Sequence, residues 1–419
     1  MSNARNNARH TAHTIAHAAA TLALALAAAP SVATAQDRLL GTAAAGVGAT
    51  LETVRFGGDG LKQATLTGSD SIRLKSIQQI AIPVSVAIPI GTAWTVDLQS
   101  AWSSSQLTYT NANGVERTAK LSGPTDVRLR ATGRLFNDGL VLTAGVNAPT
   151  GKTELTASEL TVLRAAAAPA LGLGAPPVGA GPSGTMGMVV AREVGGWAVA
   201  LGASYEMRGT YQPIAAISAG VPSTDFEPGN VVRGSLGLER LVGAHRLSIT
   251  GAVDVYSNDV LRAPGAASPI ATIKLGPIVT TDVQLQLAAP RVKELVLWAA
   301  NRYRTAYLRD GSEVAGTTGL YFDGGLRTSV PLSASTDLLV TGDGRWHSGL
   351  EINQGIATSG VVSGGATLGL SHTTGAFSWQ PYVRAQAGSL RPRTSGSSAG
   401  SASSSFVGGS AGLIIVARF

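Results

Sequence analysis

Residues 77–96 read IQQIAIPVSVAIPIGTAWTV, and this stretch restricts the fold more than any other. A helix here would carry Pro83 and Pro89 in its interior, and each interior proline costs a helix about 3 kcal/mol. In a strand, side chains alternate between two faces, so every second residue shares a face. The residues on one such face are Ile80, Ile82, Val84, Val86, Ile88 and Ile90. The stretch therefore predicts a strand with a continuously apolar face, and both prolines fall on the other face.

The same alternation continues to the end of the chain. Between residues 196 and 208, for example, Val199, Leu201 and Tyr205 alternate with small or polar residues. Segments of about ten residues with this alternation are typical of transmembrane β-barrels, in which a closed sheet pairs every backbone polar group. The pattern therefore predicts an all-β fold, namely an antiparallel up-and-down transmembrane barrel of about 16 strands.

The predicted strands can be placed individually. They are residues 46–57, 74–90, 93–109, 124–136, 139–148, 183–194, 196–208, 229–241, 244–257, 272–288, 294–308, 319–330, 335–348, 361–372, 375–388 and 407–419. A count of 14 is the alternative, because the first strand is the least regular. Short turns follow the even strands and long loops follow the odd ones. Outer-membrane barrels have short periplasmic turns and long external loops, so we expect both termini in the periplasm.

Composition restricts the class of protein further. The chain has 419 residues, of which 44% are hydrophobic and 14% charged, and it has no cysteine. The low charge argues against disorder, and the lack of cysteine excludes a disulfide scaffold and a cysteine-ligated zinc site. The net charge of +7 is spread along the chain, so we expect no nucleic-acid partner.

Both ends of the chain indicate export to an outer membrane. Arg5 and Arg9 precede the apolar residues 18–29, and Ala33-Thr34-Ala35 has the form of a cleavage site. Residues 1–35 are therefore predicted to be a cleaved signal peptide, and residues 36–419 an outer-membrane barrel in a Gram-negative-type bacterium. The last strand ends in Phe419, which resembles the signal that the barrel-insertion machinery recognises. The expected partners are thus this machinery, the lipid bilayer and a small-molecule solute.

Three nearby segments resemble a known family. They are GPTDVRLR (123–130), GRLF (133–136) and AGVNAPTGK (144–152). These segments resemble a motif of the outer-membrane transport family named for the meta-pathway of phenol degradation. The resemblance covers about 90 residues and implies a channel. The sequence departs from the family by an insertion of about thirty residues between Pro149 and Ser183.

The insertion contains a predicted helix. Thr156 to Glu159 has the form of a capping box, and helix-forming residues follow it. Its position is similar to that of the third loop of trimeric porins, which folds into the pore. The candidates for a constriction are Glu154, Glu159, Leu160 and Leu163. One interpretation is an inward lid whose apolar residues suit an apolar or aromatic solute. The other is an external loop that packs on its neighbours or on another subunit.

Charged residues are expected on the inner face of the barrel. Alternation places twelve cations there: Arg128, Arg130, Arg134, Arg208, Arg233, Arg246, Lys274, Arg302, Arg304, Arg327, Arg345 and Arg384. It also places nine anions there: Asp97, Asp126, Glu206, Glu239, Asp254, Asp282, Asp323, Asp337 and Asp343. The pore-lining candidates are Arg128, Arg130, Arg134, Arg302, Arg304, Arg327, Arg345, Asp323 and Asp343. The arginines of strand 124–136 either form an anion-attracting ladder opposite Glu154 and Glu159, or pair with carboxylates in a network that fills the barrel.

The sequence predicts no enzyme and no cofactor or metal site. Two segments, 396–400 and 408–412, match G-x-S-x-G, but neither has the strand–turn–helix context of a nucleophile elbow. Beyond residue 35 the histidines are His245, His347 and His372, too scattered to indicate a triad or a metal site. The predicted function is passive or facilitated diffusion of small solutes. A closed surface barrel whose loops bind partners is the alternative, and a lipid-modifying enzyme is less favoured.

Overall fold

Sixteen antiparallel strands close into one barrel. The computed structural model describes residues 43–58, 60–64, 71–136, 138–166, 171–173, 178–214, 223–315, 317–348, 360–391 and 403–419. The barrel strands are β1 (Ala44–Phe56), β3 (Ser71–Ile90), β4 (Trp94–Thr110), β6 (Val127–Leu135), β7 (Leu140–Ala148), β8 (Ser183–Val194), β9 (Trp197–Arg208), β12 (Val231–Val242), β13 (His245–Tyr256), β16 (Ile278–Leu287), β17 (Glu294–Arg304), β20 (Gly319–Ser333), β21 (Thr336–His347), β22 (Gly360–Thr374), β23 (Phe377–Arg391) and β24 (Ser404–Arg418). The barrel closes where β1 pairs with β24, from Ala44 opposite Arg418 to Phe56 opposite Phe406.

The remaining elements belong to the connections. Two strands extend the barrel wall, β2 (Leu61–Ala64) beside β3 and β5 (Glu116–Pro124) beside β4. A second, six-stranded sheet consists of β10 (Tyr211–Ile214), β11 (Thr224–Glu227), β14 (Asn258–Arg262), β15 (Pro269–Lys274), β18 (Leu308–Arg309) and β19 (Ser312–Glu313). One helix, α1 (Ala157–Ala166), lies between β7 and β8. Within the described ranges, no helix is long and apolar enough to cross a membrane.

The predicted fold class and strand count are confirmed, since each of the sixteen predicted segments overlaps one barrel strand. Two of the predicted boundaries are wrong. The long loop expected after residue 109 is a tight hairpin, in which Asn111 Oδ1 accepts the backbone N–H of Val115 at 2.9 Å. The wall strand expected from residue 272 begins at Ile278, because residues up to Lys274 pair with β14 in the second sheet. Lys274 therefore lies outside the barrel wall, contrary to the prediction.

Connection lengths define the two ends of the barrel. Short connections join β3 to β4, β8 to β9, β12 to β13, β20 to β21 and β22 to β23 at the end that we call the short-turn end. Gly195 and Gly196 both have positive φ, as a two-residue hairpin turn requires. The opposite, long-loop end carries α1 and the second sheet. The first residue of β1 and the last of β24 pair with each other, so both lie at the short-turn end.

The outer face of the wall is apolar. In β9, Leu201 is 61% exposed and Met207 is 60% exposed, whereas Gly202 and Ser204 alternate with them on the inner face. The same holds for β22, where the outward Leu368 is 53% exposed. Because backbone polar groups are paired around the closed sheet, such a surface is suited to the hydrocarbon interior of a bilayer.

Candidate functional site

A loop enters the barrel from the long-loop end. Residues 149–182, which we call the inner loop, connect β7 to β8 and contain α1. Val162 of α1 is fully buried, and Leu160 is 8% exposed. Both belong to one group of buried apolar residues with Val54 of β1, which has the opposite orientation to the outward-facing Leu51, and α1 itself contacts β4 and β5. The apolar side of α1 is therefore packed against the inner face of the barrel.

We call the group around α1 the apolar cluster. It comprises Val54, Phe56, Ile72, Leu74, Ile77, Leu107, Ala119, Leu121, Leu155, Leu160, Val162, Ala165, Ala166, Leu171, Val361, Leu390 and Phe406. The wall members come from β1, β3, β4, β5, β22, β23 and β24, so the cluster fills one half of the lumen near the long-loop end. Leu163 packs against it as a partly buried residue. Burial of each large apolar side chain is worth about 1.5–3 kcal/mol, so the cluster is a strong attachment for the loop.

Beyond α1 the inner loop reaches the far wall. The Nε2 group of Gln386 on β23 donates a hydrogen bond to the carbonyl of Leu171 at 3.3 Å. Gly172, with φ of +62°, lies against Arg345 of β21, and a Cβ at Gly172 would be 2.1 Å from Nη1 of that arginine. The loop thus starts at β7, crosses the lumen and contacts strands on the other side of the barrel.

The predicted capping box at the start of α1 is confirmed. The backbone N–H of Thr156 donates to Oε2 of Glu159 at 3.0 Å, and Lys152 Nζ lies 2.5 Å from Oε1. Partial burial raises the pKa of Glu159, but the hydrogen bonds from Lys152 and Thr156 outweigh burial and hold this pKa below its ordinary value. Glu159 is therefore engaged within the loop itself. Glu154 is exposed, and neither side chain is seen paired with the arginines of β6.

The other half of the lumen is open. A cavity of about 750 Å³, the first cavity, is lined by small residues of β9, β12, β13 and β16 and by Gly172 and Leu173 of the inner loop. A second cavity of about 790 Å³ lies towards β6, β7 and β8 and shares Val189 and Ser235 with the first. The two cavities therefore adjoin each other beside the inner loop.

Both cavities carry charged groups of both signs. The arginines are Arg233, Arg302 and Arg345 in the first cavity and Arg128, Arg130 and Arg208 in the second. The carboxylates are Asp282 and Asp323 in the first and Glu206 and Asp259 in the second. Arginines thus outnumber carboxylates among the lining residues of each cavity.

Most of the predicted pore-lining residues form ion pairs. Arg130 lies directly opposite Asp97 and bonds both of its carboxylate oxygens, at 2.9 and 3.0 Å. Further pairs are Arg345 with Asp323 (3.1 Å), Arg327 with Glu294 (3.0 Å) and Arg134 with Asp138 (3.8 Å). Arg384 reaches Asp343 across β22, where a Cβ at Gly365 would be 2.5 Å from its Nη2. These contacts correspond to the predicted network rather than to a continuous ladder.

Three of the predicted arginines have no carboxylate partner among the described residues: Arg128, Arg302 and Arg304. Arg128 lines the second cavity, and Arg302 lines the first. Arg302 lies directly opposite Tyr321 in the sheet, and Arg304 follows it on the same face of β17. The structure thus separates the predicted arginines into a paired group and an unpaired group, which the sequence did not distinguish.

The structure also assigns a role to a residue whose importance sequence reasoning missed. Alternation predicts Asp126 only as one of nine lumen anions, but it lies between β5 and β6, is only 6% exposed, and bonds the two ends of the inner loop. The feature of the sequence that could have indicated this role is the position of Asp126, between Pro124 and the arginine-rich strand β6.

The three predicted histidines lie apart from one another, and each bonds a different group. His347 lies 3.2 Å from Asp323 Oδ1 and stacks edge-on against Tyr321. His245 and His372 bond groups near short turns, the backbone of Ala288 and the hydroxyl of Thr336. Within the described ranges, no nucleophile bonds the His347–Asp323 pair.

The second G-x-S-x-G segment lies inside β24, and segment 396–400 lies outside the described residues, as does the predicted signal peptide.

Comparison with known proteins gives similarity of architecture alone. No family model and no curated protein matches the chain, so the resemblance to the meta-pathway family stays a prediction. OprB of Pseudomonas putida is 10% identical over 92% of this chain and 96% of its own, with a TM-score of 0.44. A mutant of the TodX monoaromatic hydrocarbon channel is 9% identical over 90% of each chain, with a TM-score of 0.44. An anion-selective porin from Comamonas acidovorans is 12% identical over 90% of this chain and 99% of its own, with a TM-score of 0.36.

Proposed function

We propose that this protein is an outer-membrane channel through which small solutes diffuse passively. The observation that carries the proposal is the pair of adjoining cavities beside the inner loop, which are lined by charged groups and small residues inside a barrel whose outer face is apolar. An apolar exterior fits a bilayer, and an interior that carries charged groups and retains free volume fits a water-filled path. The short-turn end, where β1 begins and β24 ends, would face the periplasm.

Small anionic solutes suit this path best. Arg128 and Arg302 face the cavities without carboxylate partners among the described residues, and positive side chains in a pore favour anions. The apolar residues of the inner loop pack mainly on the wall, and Leu173 is the large apolar residue among those described in the loop that lines the first cavity. Passage of apolar or aromatic solutes, expected from the sequence, stays a prediction.

Single-channel recording of the folded barrel in a planar bilayer tests the proposal. We expect discrete, stable current steps and, under a salt gradient, a reversal potential displaced towards that of the anion. A folded protein that inserts in the bilayer and yet passes no current would contradict the channel. Steps with a cation-leaning potential would contradict the solute class while leaving the channel intact.

A surface-binding barrel is the second candidate, and one observation favours it. The six-stranded second sheet covers part of the long-loop end and is held by its own contacts, such as the ion pair of Arg262 with Glu227. A large ordered surface at that end would suit a binding partner. An electrically silent but folded barrel would favour this candidate over the channel.

A further inference from the structure

Asp126 bonds both ends of the inner loop at once. Its Oδ1 accepts the backbone N–H of Gly151 at 2.9 Å, where the loop leaves β7. Its Oδ2 accepts the backbone N–H of Ala180 at 2.8 Å, where the loop returns to β8, and Nδ2 of Asn147 at 2.7 Å. Hydrogen bonds to an ionised acceptor are about twice as strong as those between neutral groups. One buried carboxylate therefore links three segments.

The two ends of the loop also touch each other. The backbone N–H of Gly179 donates to the carbonyl of Lys152 at 2.9 Å. A Cβ added to Gly151 would lie 2.6 Å from the nitrogen of Gly179, and one added to Gly179 would lie 2.8 Å from Oδ1 of Asp126. Real Cβ atoms do not approach backbone so closely. Only glycine at these two positions lets both ends reach the carboxylate.

The preceding threonine fixes the same place in the wall. The hydroxyl of Thr150 donates to the carbonyl of Thr125 at 3.0 Å and accepts the backbone N–H of Val127 at 2.9 Å. These bonds connect the end of β7 to the break between β5 and β6, in which Asp126 lies. The segments that carry the family resemblance, GPTD (123–126) and NAPTG (147–151), thus meet at one point in space.

We propose that Asp126 is a positioning residue that holds both ends of the inner loop and so keeps the loop, with α1, inside the barrel. We call this set of hydrogen bonds the clamp, because the donors from Gly151 and Ala180 belong to opposite ends of one loop. Loss of the carboxylate would deprive the N–H groups of Gly151 and Ala180 of their charged acceptor, which costs free energy and favours opening of the loop. The consequence for ion flow rests on the proposed channel function, whereas the attachment itself does not.

The attachment can be tested on the folded protein in detergent, without any channel activity. Trypsin cleavage after Arg164, which lies in α1, reports release of the loop. For Asp126→Asn and Asp126→Ala we expect cleavage about tenfold faster than in the wild type, since a buried charged acceptor is lost. Asp337→Asn is the matched control, because Asp337 pairs with Lys293 at the short-turn end, far from the loop. Equal cleavage rates in the wild type and both Asp126 variants would overturn the clamp.

Conductance separates loop positioning from a general structural role. In the full chain, Asp126→Asn should increase current noise and mean conductance. In a chain whose residues 155–173 are replaced by a short Gly-Ser linker, the same substitution should have no further effect on conductance. An equal effect in both backgrounds would overturn the proposal. Where the wild type passes no current, the proposed function fails and the cleavage rates still decide on the clamp.

Gly179→Ala is a second variant, which tests the proposal if Asp126→Asn does not fold. Gly179→Ala retains every charge but places a methyl group against Oδ1 of Asp126. It should accelerate cleavage after Arg164 as Asp126→Asn does, whereas Gly184→Ala, which meets open space, should not. Slow cleavage of a folded Gly179→Ala variant would contradict the clamp.

Discussion

The two halves of the lumen differ although their outer faces are alike. On the side of β1, β3–β5 and β22–β24, the inner face near the long-loop end carries large apolar residues, such as Ile77 and Phe406, that bind α1. On the side of β9 to β17, the inner face carries small residues such as Ala200, Gly237 and Ala252, together with arginines and carboxylates. The first half is largely filled, with a cavity of about 250 Å³ left between β1, β23 and β24, whereas the second half contains the two larger cavities.

The comparison shows that the inner face decides where the loop lies. The outer face must be apolar all round, because all of it meets lipid. The inner face is free of that constraint, so large apolar residues there can form a docking surface, and small ones leave free volume. Attachment must also offset the ordering of the loop backbone, about 1–2 kcal/mol per residue, which explains why an extensive cluster is present.

The largest expected effect comes from emptying the filled half. Replacement of residues 155–173 by a short Gly-Ser linker removes α1 and the crossing segment, and we expect single-channel conductance to rise about twofold or more, because the constriction is lost. Replacement of the exposed residues 264–268, in the β14–β15 turn at the same end, is the control and should leave conductance unchanged. Unchanged conductance in the first variant would show that the inner loop does not restrict the path.

The next largest effect is expected from placing an arginine on the outer rather than the inner face of one strand in the open half. Leu201→Arg places a charge on the lipid side of β9, and we expect a loss of about 2–4 kcal/mol in the free energy of unfolding from vesicles. Ser204→Arg, on the inner face of the same strand, should leave this free energy nearly unchanged but lower the conductance. Equal stabilities of the two variants would contradict the assignment of the faces.

A smaller effect is expected from the charges of the open half. Arg302→Gln removes a cation that has no carboxylate partner among the described residues, so the anion preference should fall by about half. The double variant Arg327→Gln with Glu294→Gln removes both members of an ion pair and leaves the net charge unchanged. Its reversal potential should equal that of the wild type. A shift of the same size in both variants would show that net charge at these positions does not set selectivity.

The smallest effect is expected from protonation of Glu159, which caps α1 in the filled half. The pKa of Glu159 is lower in the folded loop than in an unfolded chain, so its stabilising contribution is complete above the ordinary pKa of about 4.3 and is lost as the pH falls through the lowered value. A spin label at Ser158→Cys, in a chain without other cysteines, should therefore gain mobility below about pH 4. With Glu159→Gln added, mobility should no longer change over this pH range; a persisting acid transition would exclude Glu159 as its cause.

Much of the molecule could be predicted from local pattern. The strand limits follow from alternation at a period of two, and α1 follows from the capping box at Thr156 and Glu159. The partners of the lumen arginines could not be predicted, because a side chain on the inner face can reach across a strand, as Arg384 does over Gly365. The same holds for the hairpin after Asn111, where pairing with β4 overrides a loop-like composition.

What the sequence alone determined is the closed barrel, since an apolar face on every strand has no other way to meet lipid with its backbone paired. Only the tertiary structure decided which half of the lumen stays open. The inner loop is fixed by contacts between residues far apart in the chain, such as Leu171 and Gln386, which are separated by 215 positions. Local periodicity carries no information about such contacts, because they arise only when the barrel has closed and its opposite walls face each other.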